Sequence, residues 1–92
     1  MLTIIYSNQF KKDYKKIQNN VKDKQALIET LNILCEKGYL PPKYKEHRLV
    51  GQYNNYMECH IKPDLLLIYR INNDELTLYV LRVGSHSKLL GK

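Results

Sequence analysis

Five residues of this 92-residue chain could move protons and hold an anion: His47, His60, Asp64, Arg82 and His86. Histidine titrates near neutral pH, so one imidazole can accept a proton while another donates one. Arginine grips phosphate through a planar fork and keeps its charge as negative charge builds on phosphorus. The set suits acid–base cleavage of a phosphodiester. RNA would bring its own nucleophile, the 2′-hydroxyl, so such cleavage needs neither metal nor cofactor. Other chemistries fit less well. Cys59 adjoins His60 in sequence, but neighbouring side chains of a strand point to opposite faces, so no Cys–His nucleophile is expected. Cys35 and Cys59 lack the close Cys or His pairs of a zinc site, so no metal site is expected either. Each residue also has a plainer reading. An isolated histidine such as His47 is more often a surface residue, Asp64 after Pro63 can be a simple turn residue, and Glu58 can face a lysine across a sheet.

The elements must bring these residues together. From Tyr56 to Ile61 the pattern alternates. Met57, Cys59 and Ile61 share one face, and Tyr56, Glu58 and His60 share the other. Pro63 ends that strand and leaves Asp64 in a turn. "LLLIYRI" is apolar on both faces, as a central strand requires. "NND" turns the chain, and "ELTLYVLRV" returns as a strand that carries Arg82 near its end. "GSHSKLLGK" reads as a short tail holding His86. Upstream, "LTIIY" reads as a strand, and Ser7 or Asn8 can cap a helix with Phe10, Tyr14, Ile17 and Val21 on one stripe. The lysines around the lone Asp13 fall mostly off that stripe. Asp23 can cap a second helix with Leu27, Ile28, Leu31, Leu34 and Cys35 inward, stopped at Gly38. The proline-containing stretch that holds His47 reads as irregular. The expectation is one α+β domain over 1–92, with two N-terminal helices packed on a small, mostly antiparallel, four-stranded sheet.

The formal net charge of +6 favours an acidic partner such as nucleic acid, an acidic protein or an anionic surface. Lys11 and Lys15 on the first helix, and Lys62 beside Pro63, are candidate phosphate contacts; a solvated face is their plainer reading. No apolar run is long enough to cross a bilayer, and the N-terminus lacks the pattern of a secretory signal. The chain therefore reads as cytoplasmic, with no membrane partner and with reduced thiols.

Four blocks carry a family resemblance. "NQFKKDYKKI", "KEHRLVG", "MECHIKPDLLLIYRI" and "LRVGSHSKLL" resemble the motif blocks of the YafQ type of RelE-superfamily toxins, over nearly the whole chain. The resemblance implies a RelE-like fold and the toxin half of a bacterial toxin–antitoxin pair. It implies cleavage of messenger RNA on the ribosome, silencing by a cognate antitoxin, and contact with operator DNA only through the antitoxin complex. It implies catalytic roles for His47, His60, Asp64 and His86, with Arg82 on phosphate. His86 ranks first as general acid, and Asp64 or His60 as base. Two positions depart from the pattern: Leu65 and Leu90 stand where the relatives often carry aromatics that can stack on bases. A binding module of the same fold, without useful cleavage, is the alternative reading. A DNA-regulating protein is a third.

Overall fold

Ser7 both starts a helix and fastens it to the sheet. Its Oγ accepts a hydrogen bond from the Phe10 N–H at 2.8 Å, the usual N-cap bond, and donates one to the Leu81 carbonyl at 2.6 Å. In the computed structural model, which describes residues 1–91, this junction joins strand β1 (Thr3–Tyr6) to helix α1 (Asn8–Ile17). Helix α2 (Val21–Lys37) follows. Asn20 caps it by accepting from the Asp23 N–H, so the expected capping residue, Asp23, is instead in its first turn. Val21 belongs to α2 and is exposed, as is Ile28. Gly38 ends α2 in the left-handed region, at φ 77°, where a β-carbon would be strained.

The sheet has five strands, not the four expected, and it is mixed. Its order is β1-β5-β4-β3-β2. The extra strand, β2 (His47–Arg48), lies in the stretch read as irregular; two residues are too short for an alternating pattern to show. Strands β3 (Met57–Lys62), β4 (Leu65–Asn72) and β5 (Thr77–Gly84) form the expected antiparallel meander. β1 pairs with β5 in parallel, with Thr3 opposite Thr77 and Tyr6 opposite Val80. The expected tail folds as a third helix, α3 (His86–Leu90), capped by the Ser85 hydroxyl, which accepts from the Lys88 N–H. Its last expected residue, Lys92, lies outside the described residues. Gly84 permits the close return of this helix, since a β-carbon there would sit 3.2 Å from Leu89 Cδ2.

The two faces of the sheet divide the work. α1 and α2 cover one face, burying Phe10, Leu27, Leu31 and Leu34 against Cys59, Leu67, Tyr69, Leu78 and Val80. Each fully buried aliphatic side chain stabilises the fold by roughly 1.5–3 kcal/mol. On the opposite face Leu66, Ile68 and Leu89 form a smaller cluster, with Leu49, Tyr53, Tyr56, Leu81 and Leu90 packed on it. The alternation expected in β3 holds: Cys59 is buried in the main core, and Glu58 and His60 share the other face. Among the described residues no helix is long and apolar enough to cross a membrane.

Asp13, not counted on the apolar stripe of α1, is 3% exposed and faces β5. Past Tyr6 no strand covers the edge of β5. There Ser7 N–H donates to the Val80 carbonyl at 3.0 Å, and Asp13 Oδ2 accepts from the Val83 N–H at 3.2 Å. The Arg82 guanidinium forks onto both Asp13 oxygens, at 3.1 and 3.0 Å. Burial alone would raise the Asp13 carboxyl; the hydrogen bonds from Arg82, Gln9 and Val83 outweigh it and hold the carboxyl below its ordinary range. The folded chain therefore binds fewer protons at Asp13 than the unfolded chain does in acid. The stabilisation is complete above the unfolded value, near pH 4, and is lost as pH falls through the folded value. Asp13→Asn should lower stability by about 3 kcal/mol at neutral pH. In urea unfolding the gap between the two proteins should close on acidification. A gap that stays constant down to about pH 3 would show that the charge of Asp13 is not what holds this junction.

Candidate active site

β3 presents Glu58 and His60 on the face away from the helices, and β2 brings His47 alongside, opposite Glu58 in the register. Glu58 is 3% exposed. Its Oε1 lies 3.2 Å from His47 Nε2 and 4.0 Å from His60 Nε2. Glu58 thus has two histidine neighbours rather than the lysine partner that alternation allows. Its Oε2 is buried and has no hydrogen-bond partner among the described residues. The two imidazole centroids are 6.4 Å apart.

The hydrogen bond at the far side of His47 decides where protons can sit. Nδ1 is 2.9 Å from the Lys45 carbonyl, which can only accept, so Nδ1 carries the hydrogen. A neutral ring would then turn the lone pair of Nε2 toward a carboxylate oxygen, which is repulsive. Nε2 lies 3.2 Å from Glu58 Oε1, within ion-pair distance.

The loop before β2 is held by Glu46. One oxygen accepts from the Leu40 N–H at 3.1 Å, and the other accepts from the buried Tyr69 hydroxyl. Burial, then this hydrogen bond, pushes the Tyr69 hydroxyl up and keeps it protonated. The same loop carries Lys43 and Lys45. A cleft of about 300 Å³ is lined by these lysines, His60, Ile61, Lys62 and Pro63. A neighbouring one of about 240 Å³ runs from His60 to Lys43, Tyr44 and Glu29. His60 thus sits between two openings, one rimmed by lysines, with its ring partly exposed.

Asp64 and His86 meet at the start of β4, beside Leu65. The His86 backbone N–H donates to Asp64 Oδ1 at 3.3 Å, so the β3–β4 turn holds the start of α3. Beside them a cleft of about 280 Å³ is lined by Asp64, Ser85, Lys16 and Lys88. Lys88 is held below its ordinary value, first by the Lys16 ammonium beside it.

The candidate phosphate ligands are placed differently. Arg82 is occupied by Asp13, and those hydrogen bonds, with a smaller contribution from Tyr53, push it up despite burial. Lys62 Nζ is bound to Asp23 Oδ1 at 2.6 Å. Lys11 and Lys15 lie on the helical side, on the rim of an apolar groove lined by Tyr6, Phe10, Tyr14 and Leu31, away from the histidines. Cys59 is fully buried, and burial with the nearby Glu46 and Glu58 pushes its thiol up to about 12, so no thiolate faces the site. Sequence reasoning missed Glu46 altogether, and it missed the burial of Asp13. Asp13 did leave a signal: with Phe10, Tyr14 and Ile17 it completes the i, i+3, i+4, i+7 spacing of the buried face.

The chain is 37% identical over 89 residues to the mRNA interferase toxin YafQ of Escherichia coli K12, covering 96% of this chain and 95% of that one. It superimposes on the crystal structure of a metal-bound toxin from Helicobacter pylori with a TM-score of 0.86 and 46% identity, over 98% of this chain and 100% of that one. It superimposes on the E. coli DinJ–YafQ complex with a TM-score of 0.86 and 35% identity, over 99% of this chain and 100% of that one. Among the described residues of this chain, no group of three or more His, Cys, Asp or Glu side chains is arranged to hold a metal ion. The family profile described as the bacterial toxin of type II toxin–antitoxin systems, YafQ, matches residues 2–91, and the chain belongs to that family.

Proposed function

We propose that this chain is a ribosome-dependent mRNA endonuclease of the cytoplasm, which stops translation and is silenced by a cognate antitoxin. The observation that carries the reading is the approach of His47 and His60 to the buried Glu58 carboxylate, inside a rim of lysines. Such a cluster can take up a proton in a place where an RNA phosphate is attracted.

In this reading the 2′-hydroxyl attacks the neighbouring phosphate. His60 accepts its proton, and Glu58 behind it stabilises the imidazolium that forms. His86 donates a proton to the departing 5′-oxygen. Asp64 acts as a positioning residue, because its carboxylate holds the His86 backbone N–H rather than facing an open site. Lys43 and Lys45 with Lys62 supply positive charge to the phosphorane. Arg82 contributes to the site by fixing the end of β5, and any phosphate contact it makes must share the guanidinium with Asp13. No step uses a metal or cofactor, since acid, base and cation all come from the chain. The ribosome supplies the groove for mRNA that the open clefts lack. The antitoxin reading is supported by the E. coli complex and by the +6 charge, which favours an acidic partner on the basic surface. Operator DNA would be reached through that partner.

A binding module without cleavage is favoured by one specific observation. Leu65 is buried and Leu90 packs onto the Leu66–Ile68 cluster, so neither offers an open face to a base.

Expression of the chain without an antitoxin should arrest growth. His86→Ala should relieve the arrest and slow cleavage on programmed ribosomes by about a hundredfold or more, with unchanged thermal unfolding. Equal toxicity of the folded variant would remove His86 from the mechanism. End-group analysis of the cut mRNA separates attack by the 2′-hydroxyl from attack by water. The expected products are a 2′,3′-cyclic phosphate, or the monophosphate derived from it, and a 5′-hydroxyl. A single 2′-deoxy substitution at the scissile position should abolish cutting. A 5′-phosphate, or undiminished cutting of the deoxy substrate, would overturn the 2′-hydroxyl route.

A further inference from the structure

On the sheet face that carries Glu58, the next cross-strand row is Tyr56, Arg70 and Tyr79. Arg70 pairs with Tyr79 across β4 and β5, and the β3–β4 register, with Met57 opposite Tyr69, places Tyr56 on its other flank. The Arg70 guanidinium carbon lies 5.4 Å from the Tyr56 ring centroid and 5.3 Å from that of Tyr79. A cation between two rings is held by the quadrupole of each. Contacts of this kind engage the faces of a guanidinium, and its hydrogen bonds leave from the edge.

Among the described residues no carboxylate pairs with this charge. The ion pairs among the described residues involve His47, His60, Lys62 and Arg82, and none involves Arg70. Arg70 Nε is buried without a hydrogen-bond partner. Arginine does not shed its proton to escape such a setting, and a buried donor left open is unfavourable until an acceptor arrives. The position is also suggestive. Ile68 is opposite Glu58, and Arg70 is two residues further along β4 on the same face. One such repeat is about 6.8 Å, comparable to one nucleotide step of an extended strand.

We propose that Arg70, clamped between Tyr56 and Tyr79, binds the RNA phosphate next to the scissile one. The inference rests on the nuclease reading above and adds a subsite to it. The strand of RNA would run along the sheet face from the Glu58–His60 cluster to the tyrosine pair. Arg70 acts there as a positioning residue: it holds the substrate in register and takes no part in proton transfer.

The test is binding of a short single-stranded RNA, methylated at every 2′-oxygen so that it cannot be cut, followed by fluorescence anisotropy over a range of salt. Arg70→Met should weaken binding about tenfold and lower the slope of log affinity against log salt by about 0.7, the loss of one phosphate contact. Arg70→Lys should restore the slope. On programmed ribosomes Arg70→Met should raise KM and leave kcat little changed. If methionine unfolds the chain, Arg70→Gln takes its place, with thermal unfolding as the control. A folded variant that keeps the affinity and salt slope of the unsubstituted chain overturns the subsite and leaves the nuclease reading standing. An unsubstituted chain with no affinity for the RNA, even at low salt, also overturns the subsite, whereas the nuclease reading falls only if the chain fails to cut mRNA on programmed ribosomes.

Discussion

A single carboxylate, Asp13, finishes an edge that the sheet leaves open. β1 ends at Tyr6, opposite Val80, and β5 runs on to Gly84. The exposed edge of a strand presents unpaired backbone groups, and a short continuation of β1 would have covered them. The chain turns into α1 instead, and side chains of that helix take over. Ser7 meets the Leu81 carbonyl, and Asp13 meets the Val83 N–H and the Arg82 guanidinium. Between these bonds the β4–β5 register slips, so that Ile68 faces Arg82 while Tyr69 faces Val80, leaving Leu81 as an extra residue. A bulge of this kind increases twist and redirects the chain. It sends Gly84, Ser85 and His86 back across the far face of the sheet, where Leu89 packs on Leu66 and Ile68. The position of His86 therefore depends on a residue of the opposite layer.

The two faces of the sheet differ in how completely their polar groups are paired. The helical side is a continuous apolar core, in which even the polar hydroxyl of Tyr69 is answered by Glu46. The other side tolerates a buried carboxylate with one oxygen unpaired, and an arginine with a buried donor unpaired. Such groups are unfavourable in a finished core.

Much of this was readable from residue order alone, and the unread parts share a cause. Alternation in Tyr56–Ile61 separated Cys59 from Glu58 and His60, and the doubly apolar "LLLIYRI" marked the middle strand. Ser7 and Gly38 showed where helices begin and end. These are local signals. The pairing of β1 with β5 joins residues more than seventy positions apart, and nothing in either segment specifies a parallel neighbour. β2 is too short for periodicity, and its two residues are strand only because Glu58 and Met57 face them. Asp13 stood among lysines, which disguised its place on the buried stripe. The approach of His47 to Glu58 was not visible for the same reason as β2: the loop between Gly38 and His47 follows a path set by the contacts of Glu46 with Leu40 and Tyr69.

The parallel pair of β1 and β5 also imposes an order of assembly. α1, α2 and the β3–β4 hairpin are built from contacts near in sequence and can begin to form as the chain leaves the ribosome. β1 cannot: its neighbour on one side is β5, and on the other it is an edge. Until Thr77–Val80 emerges, Thr3–Tyr6 has no partner strand, Ser7 and Asp13 have no carbonyl or N–H of β5 to meet, and Arg82 and His86 are unplaced. A chain without β5 therefore lacks the contacts that place Arg82 and His86. The long-range pairing works as a timer, and the site is completed only after nearly all of the described chain has been synthesised.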